Sequence, residues 1–153
     1  MPNYRGVAPT PTPDPNDAHK EWKTQYAMLY VNDIGLAAFR NPTGIFPVGS
    51  KIVREKIVFE SPNNSNTSPK VFSSEDLEKV GSKENLTKRV AAVIAMVKRE
   101  KGFSRKTDDW EFLVINPDSR LILERETKGD CSKCHSKTKA TDWVYRTLGK
   151  TAD

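Results

Sequence analysis

Cys131-Ser132-Lys133-Cys134-His135 gathers the most reactive side chains of this 153-residue sequence. Both of its cysteines and one of its two histidines fall in these five consecutive positions. The spacing CxxCH suits one reaction in particular. Two thiols three residues apart can add to the two vinyl groups on one edge of a haem. The imidazole that follows is then carried under the iron as its proximal ligand. The expectation is one covalently attached c-type haem, anchored by Cys131 and Cys134 and ligated by His135. Two other uses of the spacing compete. A CxxC redox pair of thioredoxin type needs a βαβ setting, which the flanking sequence does not offer. Half of a zinc site needs further Cys or His, and the only other histidine is His19, beside a proline-rich stretch.

The sixth position on the iron separates electron transfer from ligand chemistry. Electron-transfer cytochromes fill it with Met or a second His. His19 reads as a surface residue, and Met28 and Met96 lie inside apolar segments where methionine fills core space. The reading is therefore a five-coordinate haem with an open site. A plain electron carrier with Met28 or Met96 as the sixth ligand is the rival.

The elements that must position this motif are legible in part. Residues 1–18 carry five of the ten prolines and read as a flexible tail, with residues 19–153 as a single haem-binding domain. Tyr26-Ala27-Met28-Leu29-Tyr30-Val31 has strand composition. Asn32 or Asp33 can cap a short helix from Ile34 to Phe39, and Asn41-Pro42-Thr43-Gly44 turns it off. Lys51 to Glu60 alternates as a strand, with Ile52, Arg54, Lys56 and Val58 on one face. Residues 61–69 read as a loop and Ser74 to Val80 as a short helix. Val90 to Val97 fits a buried helix or a buried strand equally well. Trp110 to Ile115 and Leu121 to Glu126 are strands, and the segment after the cysteine motif, through Trp143 to Leu148, reads as a C-terminal helix.

Charge and hydropathy exclude other classes. The formal charge is +5 with 36% apolar and 29% charged residues. Basic residues are interleaved with acids, as in Arg54-Glu55-Lys56, rather than gathered on one face, so nucleic acid is not an expected partner. No stretch of eighteen apolar residues exists to span a membrane. No apolar leader follows Met1. Haem attachment to CxxCH occurs outside the cytoplasm in bacteria, so the expected location is periplasmic, with the leader absent from this chain.

Five segments occur in a telling order: Phe46-Pro47-Val48-Gly49-Ser50, Val53-Arg54-Glu55-Lys56, Ala95-Met96-Val97-Lys98-Arg99-Glu100-Lys101-Gly102-Phe103, Asp109-Trp110-Glu111-Phe112 and the CxxCH. In this combination the chain, from about Trp22 to Leu148, resembles the cytochrome P-460 and cytochrome c′-beta family. The resemblance implies an α+β fold, mainly an antiparallel β-sheet with a few short helices and one covalently bound haem c, usually as a homodimer. It makes Val90 to Lys98 a strand and the haem pentacoordinate on His135. Members of one branch oxidise hydroxylamine and carry a lysine bonded to a haem meso carbon. Members of the other bind nitric oxide and carbon monoxide at an apolar distal face. A redox partner protein is expected for either.

Two positions divide the branches. The cross-linking lysine follows the pattern Gly-Thr-x-x-Val-Lys-Glu, and the matching stretch here is Gly49-Ser50-Lys51-Ile52-Val53-Arg54-Glu55. Arg54 holds the lysine position, and a guanidinium stays protonated and is a poor nucleophile. The strand expected to carry a distal carboxylate has Ile94 between Ala92 and Met96, with no acid. Arg54, Ile94 and Met96 are therefore expected beside the haem, on the gas-binding side of the family. Tyr26, Phe46, Phe59 and Phe103 are candidates to roof the pocket, each against the alternative of core or dimer packing.

Overall fold

Alternating β-branched and aromatic residues, broken by Pro, Gly and Asn, produce a meander. In a computed structural model, residues 4–9, 26–60 and 87–146 are described, with side chains for 28–57, 87 and 89–146. Six antiparallel strands lie side by side in chain order: β1 Tyr4–Pro9, β2 Tyr26–Val31, β3 Lys51–Glu60, β4 Thr87–Lys98, β5 Trp110–Ile115 and β6 Ile122–Glu126. Helix α1, Asp33–Arg40, connects β2 to β3, and α2, Asp130–His135, runs into a 3-10 turn over Ser136–Thr141. The loop of residues 61–69, the helix at Ser74 to Val80 and the domain start near His19 lie outside the described residues.

Two expectations are corrected. Part of the proline-rich tail is a strand: Tyr4 sits opposite Val31 and Pro9 opposite Tyr26. Between Pro2 and Pro9 every residue keeps a backbone N–H, so a ladder can form until Pro9 closes it. Of the expected C-terminal helix, the described part, residues 136–146, forms only the 3-10 turn, and residues 147–148 lie outside the described residues. Asp142 and Trp143 then adopt left-handed backbone, with φ of 53° and 66°, which stops helical propagation and turns Trp143 inward.

Val90 to Val97 is settled as strand by pairing on both edges, to β3 and to β5. Register then fixes the faces. Leu29, Arg54, Ile94, Val114 and Glu124 form one cross-strand row, and Val31, Ile52, Met96 and Phe112 form the next. This face is covered by α1, the Phe46 turn and the C-terminal segment. Its buried cluster includes Phe39, Phe46, Met96, Trp110, Phe112 and Trp143. The opposite face carries a smaller cluster of Ala95, Val97 and Leu113. It also carries Glu111, buried between Arg99 and Arg125.

Two local devices set the geometry. Asn32 caps α1 by accepting from the Gly35 N–H at 3.2 Å, and the same oxygen accepts from the Lys51 N–H at 2.8 Å. One side chain thus ties the helix start to the strand start. Gly129, at φ 145°, turns the end of β6 into α2, where an added Cβ would lie 2.0 Å from the Glu126 carboxylate.

Candidate haem-binding site

The CxxCH motif forms α2 against the main-core face of the sheet. A single helical turn puts residues i and i+3 on neighbouring positions, so Cys131 and Cys134 project from the same side. Both thiols are free. Cys131 is half-buried and packs against the main core, whereas Cys134 is exposed. Glu126 reaches back from β6 and its carboxylate accepts from the Cys131 N–H at 2.9 Å, satisfying one of the amides that a helix start leaves unpaired. Burial, together with the Glu126 and Glu124 carboxylates, pushes the Cys131 thiol up to about 12, so it stays protonated at neutral pH.

His135 lies between two aromatic rings. Phe112 is 5.2 Å away on the sheet side, and Tyr145 is 5.2 Å away edge-on. The Tyr145 hydroxyl donates to the Cys134 carbonyl at 2.9 Å. His135 Nδ1 is 2.7 Å from the Trp143 carbonyl. A carbonyl only accepts, so Nδ1 carries the proton and Nε2 keeps its lone pair for a metal. Burial pulls the imidazole below its ordinary value, and the Arg54 charge adds to this against the opposing Trp143 carbonyl. The neutral, ligating form is thereby favoured.

Arg54 lies in the cross-strand row directly beside Ile94, on the face that α2 covers. Burial lowers its pKa, partly offset by Cys134. Among the described residues no hydrogen bond or ion pair takes up its guanidinium. A half-buried cation without a protein carboxylate is what a haem propionate would satisfy. The residues therefore fit a haem: two free thiols on one helical turn, an imidazole in the ligating tautomer, and a half-buried cation near them that has no partner among the described residues. Among the described residues no group of three His, Cys, Asp or Glu is placed to hold a bare metal ion.

The other expected residues fall in different places. Ile94 is half-buried opposite Arg54. Met96 is deep in the core with Trp110 and Phe112. Met28 pairs with Glu55 on the opposite face, so it cannot share an iron with His135. Phe46 is core, edge-on to Trp110 at 5.4 Å, and Phe103 is exposed near Arg99. The side chains of Tyr26 and Phe59 lie outside the described residues.

Sequence reasoning missed Phe112, Trp143, Tyr145 and Glu126 as neighbours of the motif. Phe112 was within reach of it, since the segment Asp109 to Phe112 already stood out. The Trp143 contact is made through a backbone carbonyl, which residue type does not signal.

The family model described as Cytochrome P460 matches residues 2–146. No match was found among curated proteins. The matched span reaches further toward the N-terminus than the sequence motifs do and takes in β1 as well as the CxxCH helix. By this match, and by a site whose residues fit the group, the chain belongs to the cytochrome P460 family and is a haem c protein with one covalently bound haem.

Proposed function

We propose that the protein binds small diatomic ligands, nitric oxide and carbon monoxide, at a five-coordinate haem, as the c′-beta members do, and does not oxidise hydroxylamine. The observation that carries this reading is the cross-strand pair Arg54 and Ile94. At these two places the hydroxylamine-oxidising pattern needs a nucleophilic amine and a carboxylate. An arginine does not supply the nucleophile, and an isoleucine cannot take a proton. When bound, the haem supplies the iron at which the diatomic ligand docks. Cys131 and Cys134 would anchor it, His135 would ligate the iron through Nε2, and Arg54 would meet a propionate. Ile94 and Val114, adjacent in one row, give that part of the wall the apolar character suited to an uncharged ligand.

The holoprotein tests the reading directly. An intact mass of chain plus one haem, ordinary high-spin ferrous bands and a spectral change on adding carbon monoxide are expected. A strongly red-shifted ferrous Soret band with hydroxylamine turnover would overturn it. A low-spin ferrous spectrum indifferent to carbon monoxide would instead support an electron carrier. The same reading carries a periplasmic homodimer that exchanges electrons with a partner protein. Light scattering of the holoprotein checks the dimer, and a mass of one chain would set it aside.

A further inference from the structure

We propose that Asp142 is a positioning residue for the proximal histidine: it fixes the Trp143 carbonyl that receives the His135 proton, and so sets how strongly the imidazole donates to iron. The inference rests on the reading that His135 ligates the haem iron. Asp142 collects donors from three separate parts of the fold. One carboxylate oxygen accepts from the Phe46 N–H at 2.8 Å. The other accepts from Lys98 Nζ at 2.8 Å and from the Trp110 indole N–H at 3.3 Å. The Asp142 side chain is 9% exposed and that of Lys98 is 11% exposed, so the pair is shielded from solvent.

The next residue is held as firmly. The Trp143 indole donates to Asp108 at 2.6 Å, and its backbone N–H donates to the Thr138 carbonyl at 2.9 Å. Trp143 itself is buried. Both residues have left-handed backbone, at φ 53° and 66°, a conformation that L-residues hold only when their surroundings impose it. The carbonyl of the residue so restrained is the one 2.7 Å from His135 Nδ1. Partners of a ligating histidine set its orientation and basicity, and axial-ligand strength is one of the levers on iron potential. A chain of contacts from the Phe46 turn, the end of β4 and the start of β5 therefore converges on one proton of the axial ligand.

The test compares Asp142→Ala, Asp142→Asn and Asn32→Ala holoproteins by ferrous resonance Raman, by spectroelectrochemical potential and by thermal midpoint. Asp142→Ala is expected to lower the iron–histidine stretching frequency and raise the reduction potential, because a loosened carbonyl draws less on the Nδ1 proton. Asp142→Asn keeps an acceptor for Phe46 and tolerates the left-handed backbone, but it turns an amide NH2 toward Lys98 and Trp110, so it is expected to restore only part of both shifts. Asn32→Ala removes the α1 cap and no direct contact of Asp142, Trp143 or His135, and is expected to lower the midpoint without moving either spectroscopic value. If Asp142→Ala lowers the midpoint yet leaves frequency and potential at wild-type values, Asp142 is merely structural and the proposal is wrong. Should Asp142→Ala yield no folded holoprotein, Lys98→Met removes one donor and is expected to shift both values in the same direction by less. An unmoved Lys98→Met overturns the proposal. A His135→Gly holoprotein separates the two readings: persistence of the stretching mode there would refute His135 as ligand, whatever Asp142 does.

Discussion

Arg54 and Ile94 stand side by side on neighbouring strands, and their chemistry is of opposite kinds. The guanidinium is half-buried and has no partner among the described residues, an arrangement that costs stability until an anion arrives. Arg54→Met should therefore raise the stability of the haem-free chain by about 1 kcal/mol while lowering that of the holoprotein relative to wild type. Urea denaturation of both forms checks the crossing of sign. Equal effects on the two forms would mean that Arg54 meets no group of the haem. Arg54→Lys is the complementary test. It places an amine where the hydroxylamine-oxidising pattern has one, and an intact mass lower than chain plus haem by the hydrogens of a new bond would show that this position lies against the macrocycle.

At the scale of elements, the site depends on two junctions. Asn32 joins α1 to β3 through one side chain, and Asn32→Ala should cost about 1 kcal/mol for the lost cap, more if the Lys51 N–H is left unpaired. Gly129 joins β6 to α2 at a backbone angle of 145° with no room for a Cβ beside Glu126. Gly129→Ala should cost roughly 1 to 3 kcal/mol and displace Glu126 from the Cys131 N–H. Reduced yield of covalently loaded protein alongside a lower thermal midpoint is the expected outcome. A wild-type yield would show that the turn does not govern presentation of the two thiols.

At the scale of the whole molecule, the sheet has two unlike faces. One holds the main core and receives α2. The other buries Glu111, paired with Arg125 at 2.9 Å and with Arg99. Burial works against its ionisation, but the two guanidiniums outweigh it and hold the carboxyl below the usual range. A folded-state value below the unfolded one favours folding at any pH above the unfolded value, and that contribution disappears as pH falls through the lowered folded value. The urea midpoint should therefore fall as pH drops below the usual carboxylate range. In Glu111→Gln, this part of the acid sensitivity should be absent. An unchanged acid profile in that variant would place the sensitivity elsewhere.

The sequence by itself determined what is local. The CxxCH spacing specified a covalent haem because three chemical roles sit within one helical turn. Alternation and turn residues specified β2, β3, β5 and β6 almost to their ends, and Asn32 announced the α1 cap. Local pattern could not decide Val90 to Val97, since alanine and valine satisfy either structure until strands lie on both sides. It also read Tyr4–Pro9 as tail, because pairing with β2 is a property of two segments and not of one. Only the tertiary structure decided what surrounds the haem residues. Arg54 meets Ile94 through strand register, Phe112 meets His135 through packing, and Asp142 reaches Phe46 across 96 positions of sequence. Such contacts depend on how distant segments are brought together, and neither residue of a pair carries that information alone.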